Sequence, residues 1–115
     1  MIYVATRAYY ADCPTCDSIG DPQLVSFTSL EDFLKEYSTT CEYKYNNLYS
    51  ISPEGVLKLL AELSDNCGSH HVTGKTIDVV GKDGLFVRSF DIYTTSKPSW
   101  DYFKEMLDCL QEHSL

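Results

Sequence analysis

Apolar residues recur along the chain with two different periods, and the period separates predicted helices from predicted strands. Apolar positions three or four residues apart form one face of an α-helix, whereas alternating apolar positions indicate a half-buried strand. Helical spacing follows Ser29, Ser52 and Ser96 or Ser99, each of which can cap a helix. The apolar positions of the three predicted helices are Leu30, Phe33, Leu34 and Tyr37; Val56, Leu59, Leu60 and Leu63; and Trp100, Phe103, Met106, Leu107 and Leu110.

The intervening segments have the composition of strands, being rich in Val, Ile, Thr and Tyr. Asp12–Pro22 is predicted to be a loop, because it contains two Pro, one Gly and three Asp. Asn46-Asn47 is predicted to be a tight turn, and Gly81–Gly84 the turn of the clearest hairpin. The predicted strands are Ile2–Tyr10, Gln23–Thr28, a segment through Cys41, Tyr43 and Tyr45, then Leu48–Ile51, Thr76–Val80 and Leu85–Tyr93.

Together these elements predict one α+β domain spanning residues 1–115. Hairpins join antiparallel strands, so we expect an antiparallel sheet of 4–6 strands with three amphipathic helices packed on it. A chain of this length buries one core without requiring disulfides or metal. No family motif is recognised in the chain.

The charge of the chain is strongly acidic, with 17 acidic against 9 basic residues and a net charge of −8. Nucleic acids and anionic membranes attract Lys and Arg, so we expect neither as a direct partner. An acidic surface attracts basic proteins and speeds encounter with them. The alternative is that the charge serves solubility alone.

Four carboxylates of the last predicted helix share one narrow stripe: Asp101, Glu105, Asp108 and Glu112. Like charges at this spacing repel each other, which a helix tolerates at some cost in stability. We expect this stripe to bind the partner, with Tyr9, Tyr10, Asp12 and Asp17 as a second candidate surface. The alternative is an ordinary solvated helix face.

Cysteine and histidine are paired at the same spacing in two predicted loops. Cys13 and Cys16 form one pair, Cys67 and His70 the other, and Cys41 and His71 are spare ligands. Four such ligands hold a tetrahedral structural zinc, so the cofactor expectation is none or one structural zinc. Two alternatives remain open: Cys67 completes an apolar helix face, or Cys13 and Cys16 form a redox pair.

The N-terminus lacks the features of a signal peptide, and no apolar run is long enough to span a bilayer, so we expect a cytoplasmic protein. No phosphate-binding glycine loop, HExxH or nucleophile elbow is present, and no catalytic residue is assigned.

The sequence therefore predicts a small acidic protein that inhibits a basic partner such as a nuclease or toxin. This is the character, without a sequence match, of immunity proteins, antitoxins and phage-encoded inhibitors. The alternatives are a zinc-stabilised structural or adaptor domain, and a small enzyme without a recognisable motif.

Overall fold

The computed structural model of this chain describes residues 1–10, 19–40, 42–67, 72–93 and 96–114, which form six strands and two helices. The elements are β1 (Ile2–Tyr10), β2 (Ile19–Phe27), α1 (Leu30–Thr39), β3 (Tyr43–Ile51), β4 (Leu57–Cys67), β5 (Val72–Val80), β6 (Phe86–Tyr93) and α2 (Trp100–Glu112).

All six described strands belong to one sheet, in the order β2-β1-β3-β4-β5-β6, and every neighbouring pair is antiparallel. The connection through α1 crosses over β1, because β2 and β3 lie on either side of that strand. The strands β2 and β6 are therefore the two edges of the sheet.

The hydrophobic core lies between the two helices and one face of the sheet. The helices contribute Leu30, Phe33, Leu34, Tyr37, Phe103, Met106, Cys109 and Leu110, and the sheet contributes Ala5, Tyr45, Leu48, Leu60, Ala61, Leu63, Ile77, Val79, Phe90 and Ile92. The other face of the sheet has no helix on it in the described part of the chain. Neither described helix is long and apolar enough to cross a membrane.

The fold prediction was wrong in its number of helices, since the described residues form two helices where three were expected. The predicted second helix is the strand β4, preceded by a tight turn. In that turn Gly55 adopts a φ of 86° and its N–H donates to the carbonyl oxygen of Ser52 at 2.8 Å. Ser-Pro-Glu-Gly thus closes a hairpin, although Ser-Pro-Glu is also a typical helix start.

A β-bulge explains why β4 has apolar residues at helical spacing. Leu48 pairs with Ala61 and Tyr49 pairs with Leu59, so Leu60 is an extra residue in the ladder. A bulge shifts the alternation of faces by one residue. Leu60, Ala61 and Leu63 all reach the core in consequence.

The turn predicted at Asn46-Asn47 was also wrong, because both residues lie within the continuous strand β3. Thr6 pairs with Asn47 and Arg7 with Tyr45, which makes Asn46 the extra residue of a second bulge. The predicted loop at Asp12–Pro22 needs a similar correction at its end, since residues 19–22 belong to β2. The rest of that loop lies outside the described residues.

The remaining predicted elements are confirmed by the structure. The strand β1, the helices α1 and α2 and the hairpin of β5 and β6 all occur where expected. Ser29 and Ser99 are the N-caps, and their side chains accept from the backbone N–H of Asp32 and Tyr102. Trp100 differs from expectation, because it is 66% exposed and stacks on Phe103 instead of entering the core.

Candidate functional site

The carboxylate stripe lies on the solvent side of α2. Asp101, Glu105, Asp108 and Glu112 are all exposed, while Phe103, Met106, Cys109 and Leu110 on the opposite side of the helix are buried. The stripe extends about 16 Å along the helix, at a rise of about 1.5 Å per residue. The structure thus places these four side chains together on one accessible surface.

Ion pairing neutralises little of this stripe. The Arg88 guanidinium on β6 donates to the carboxylate of Glu105, and both side chains are 48% exposed. This hydrogen bond raises the pKa of Arg88. In the described part of the chain, Asp101, Asp108 and Glu112 have no ion pair.

The helix that carries the stripe is rigidly attached to the sheet. Its N-terminus is capped by Ser99 at 3.2 Å from the Tyr102 nitrogen, and its apolar side packs into the core. Asp101 in the first turn is favoured by the helix dipole. Glu112 is not, because it lies at the C-terminal end of the helix, where the dipole is negative, and no basic residue of the last turn offsets this.

The second candidate surface is only partly described. Tyr9 is 48% exposed and packs edge-to-face on Tyr43 at 5.6 Å. Tyr10 is only 1% exposed, and its hydroxyl donates to the carboxylate of Asp65, so it is not a surface anchor in this structure. Asp12 and Asp17 lie outside the described residues.

The predicted zinc ligands Cys13, Cys16 and His70 also lie outside the described residues, as do the spare ligands Cys41 and His71. Cys67 ends β4, but only its backbone is described. Within the described residues, no group of three or more His, Cys, Asp or Glu side chains is arranged to hold a metal. Zinc and the alternative redox pair therefore stay predictions.

A buried polar cluster lies at the end of the sheet where β1 and β4 end and β5 begins. Lys75 is 1% exposed, and its ammonium donates to the carbonyl oxygen of Thr40 and lies 4.7 Å from the centre of the Tyr37 ring. Burial raises the pKa of the Asp65 carboxyl, whose Oδ1 is buried without a hydrogen bond. The cluster ties the end of α1 to β4 and β5, because the Tyr37 hydroxyl lies 3.4 Å from the carbonyl oxygen of Ser64 and 3.2 Å from that of Thr76.

Arg7 forms a second polar cluster between α1 and the sheet. Its guanidinium stacks 3.8 Å from the centre of the Tyr43 ring, and Nη1 donates to the Tyr45 hydroxyl at 2.9 Å and to Glu36 at 3.3 Å. Burial raises the pKa of Tyr45 to about 12. Sequence reasoning missed both clusters, because their members are far apart in the chain and come together only through the strand order.

Neither cluster is arranged for an evident reaction. Both consist mainly of side chains that bond to neighbouring groups, although Arg7 Nε and Asp65 Oδ1 are buried without a hydrogen bond, and each cluster links a helix to the sheet. The one buried thiol that is described, Cys109, has its pKa raised by burial, which makes it a poor nucleophile. The exposed stripe on α2 is therefore the best candidate for a functional surface. Comparison of the chain with family models, curated proteins and solved structures gives no match.

Proposed function

We propose that this protein is a small acidic binding protein that inhibits a basic partner, by covering a groove in which that partner holds the phosphates of a nucleic acid. The observation that carries the proposal is the stripe Asp101, Glu105, Asp108 and Glu112: four exposed carboxylates in line on one helix, three of them without an ion pair in the described part of the chain. The proposed compartment is the cytoplasm.

The spacing of the stripe suits a phosphate-binding groove. Successive carboxylates rise by about 4.5 to 6 Å along the helix axis. A strand of DNA carries one charge per about 3.4 Å of axis, so the two charge densities differ by less than a factor of two. Lys and Arg side chains that hold phosphates would reach these carboxylates with little rearrangement.

The rigidity of α2 also supports binding. The helix is capped at its N-terminus and anchored through Phe103, Met106 and Leu110, so the backbone that carries the carboxylates is ordered before the partner arrives. A surface ordered in advance loses less conformational entropy on association. The net charge of −8 adds long-range attraction to a basic partner.

The test requires a partner, which affinity capture from the native host at low salt would supply for purification. We then compare the wild type with a double variant that carries both Asp108→Lys and Glu112→Lys. These positions are chosen because neither has an ion pair in the described residues and Lys is favoured near a helix C-terminus, so folding should not suffer. Glu105 is less suitable, since its replacement by Lys would face Arg88.

The matched control is Glu54→Lys with Glu62→Lys, which makes the same change in net charge at exposed positions outside α2. We expect the stripe variant to bind at least about tenfold more weakly and to stop inhibiting nucleic-acid binding by the partner. The control should retain most of the affinity, and rising salt should slow association of the wild type. Equal weakening by both variants would show that only net charge matters and would overturn the proposed site.

A zinc-stabilised structural or adaptor domain is the second candidate. One observation favours it: the described segments next to the predicted ligands meet at one end of the sheet, where Tyr10 bonds to Asp65. Its test is the measurement of bound zinc argued in the Discussion.

A further inference from the structure

The strand β6 forms an outer edge of the sheet, and apolar side chains are exposed where this strand begins. Phe86 is 62% exposed and Val87 46%, and Leu85, immediately before the strand, is 67% exposed. Proteins commonly protect a sheet edge with charges, proline or a covering element, because an open edge pairs with other chains. An exposed apolar edge therefore indicates a surface that another chain covers.

The backbone of β6 has groups that point out of the sheet. The Tyr102 hydroxyl accepts from the N–H of Asp91 at 2.9 Å and donates to its carbonyl oxygen at 2.9 Å, so the Asp91 backbone faces away from β5. In an antiparallel pair such outward-facing residues alternate. The N–H and C=O of Ser89 therefore also point outward, and no described residue outside the sheet bonds to them.

Carboxylates lie on both sides of this edge. The stripe on α2 lies on the helix side, with Glu105 joined to Arg88 of β6. Ile77 precedes Asp78 in β5, Phe90 precedes Asp91 in β6, and both of these apolar side chains point into the core. Successive side chains of a strand point to opposite faces, so Asp78 and Asp91 lie on the helix-free side. A strand added along β6 would place its alternate side chains toward these two acidic surfaces.

The opposite edge is less suited to pairing. β2 includes Pro22, which lacks a backbone donor, and Asp21 beside it is exposed. Proline and charge are two of the devices that prevent pairing at an edge. The edge of β6 also has a bulge, at Val87, and Tyr102 bonds to the backbone of Asp91, so the open part of this edge is centred on Ser89.

We propose that the edge of β6 from Phe86 to Phe90 binds an extended segment of the partner, rich in Lys or Arg, as a seventh strand. This inference rests on the proposed function and adds that the basic partner binds through an extended segment. Backbone hydrogen bonds to Ser89 provide affinity, and the flanking carboxylates select basic side chains. A second copy of this chain fits less well, because it would bring two chains of charge −8 together beside their carboxylate stripes.

The first test uses two short synthetic peptides of equal charge. One alternates lysine with valine and can form a strand, whereas the other alternates lysine with proline and cannot donate at every second position. Strand addition predicts at least about tenfold tighter binding of the valine peptide, the equivalent of one or two net backbone hydrogen bonds. The backbone amide signals of Val87 and Ser89 should shift on titration.

The second test uses variants of the edge. Ser89→Pro removes the outward N–H and should weaken binding of the valine peptide to the level of the proline peptide, whereas Ser89→Ala keeps the N–H and should not. Tyr102→Phe exposes the N–H and C=O of Asp91 and should strengthen binding several-fold. This opposite effect keeps the proposal testable even if Ser89→Pro fails to fold.

The two peptides could bind equally well to the wild type, and neither to the double variant with Asp108→Lys and Glu112→Lys. This result would overturn strand addition but would be consistent with the proposed function. Binding of neither peptide at low salt would count against both. Self-association that Ser89→Pro abolishes, in the absence of peptide, would show that a second copy occupies the edge and would also overturn the proposal.

Discussion

Leu59 and Leu60 are neighbours in the chain, yet only Leu60 is part of the hydrophobic core. Leu60 is 0% exposed, whereas Leu59 pairs with Tyr49 and is partly exposed on the helix-free face. A β-bulge interrupts the pairing of β3 with β4 between Leu48 and Tyr49. It places the side chains of Leu59 and Leu60 on opposite faces of the sheet. The difference distinguishes a bulged strand from the helix that the sequence predicts.

We predict that Leu60→Ala lowers the free energy of unfolding by about 2–5 kcal/mol, because it leaves a cavity in the packed core. Leu59→Ala, which removes the same atoms at a partly exposed site, should cost less than about half of that. Urea unfolding of the two variants measures the difference. Equal losses would mean that Leu59 is packed as deeply as Leu60, which this strand register does not permit.

The bulges also explain which elements of the fold could be predicted from the sequence and which could not. The capped helices α1 and α2 were predictable, because Ser29 and Ser99 precede apolar residues at an undisturbed helical period. The extra residue Asn46 interrupts the alternation of apolar and polar positions in β3, and the resulting pattern resembles a turn. The extra residue Leu60 does the same in β4, where the resulting pattern resembles a helix. A bulge depends on the partner strand, so it leaves no local signal.

The two proposed binding surfaces divide in a similar way. The α2 stripe was predictable, since its spacing is local to one helix. The open edge of β6 was not, because it depends on the strand order and on Tyr102 reaching Asp91 from another element. The burial of Tyr10 is also a tertiary effect, since its partner Asp65 lies on β4.

The second prediction concerns alkaline pH and Tyr45. Burial raises the pKa of Tyr45 in the folded protein to about 12, from an ordinary value of 10.0. The folded state therefore retains this proton at a pH where the unfolded chain releases it. The resulting stabilisation is fully present below pH 10 and is lost as the pH rises through 12.

Stability measured by denaturant unfolding across this alkaline range should fall more steeply for the wild type than for Tyr45→Phe. The variant also loses the hydrogen bond from Arg7, so it should start from a lower stability at neutral pH. Tyr9→Phe, which removes a hydroxyl from a tyrosine that is 48% exposed, is the matched control. Identical slopes for the wild type and Tyr45→Phe would contradict the prediction.

The last prediction follows from the alternative of a zinc-stabilised domain, in which Cys13, Cys16, Cys67 and His70 hold one zinc ion. Its structural support is the position of the neighbouring described residues. Tyr10 at the end of β1 bonds to Asp65, which lies two residues before Cys67 at the end of β4. Covalent geometry limits Cys13 to about 10 Å from Tyr10 and His70 to about 10 Å from Cys67, at 3.3–3.6 Å per residue.

These distances allow both ligand pairs to reach a common point, which a sequence separation of more than fifty residues did not by itself suggest. Protein purified without chelator should then contain about one zinc per chain by mass spectrometry, and Cys13→Ser or Cys67→Ser should lose it. Cys109→Ser is the control, because Cys109 is buried in α2 and should not affect the metal. Since a structural zinc contributes to folding, its removal by chelator should lower the midpoint of unfolding. Metal-free protein with the same midpoint would rule out a structural zinc, and zinc retained by both cysteine variants would place the ion elsewhere.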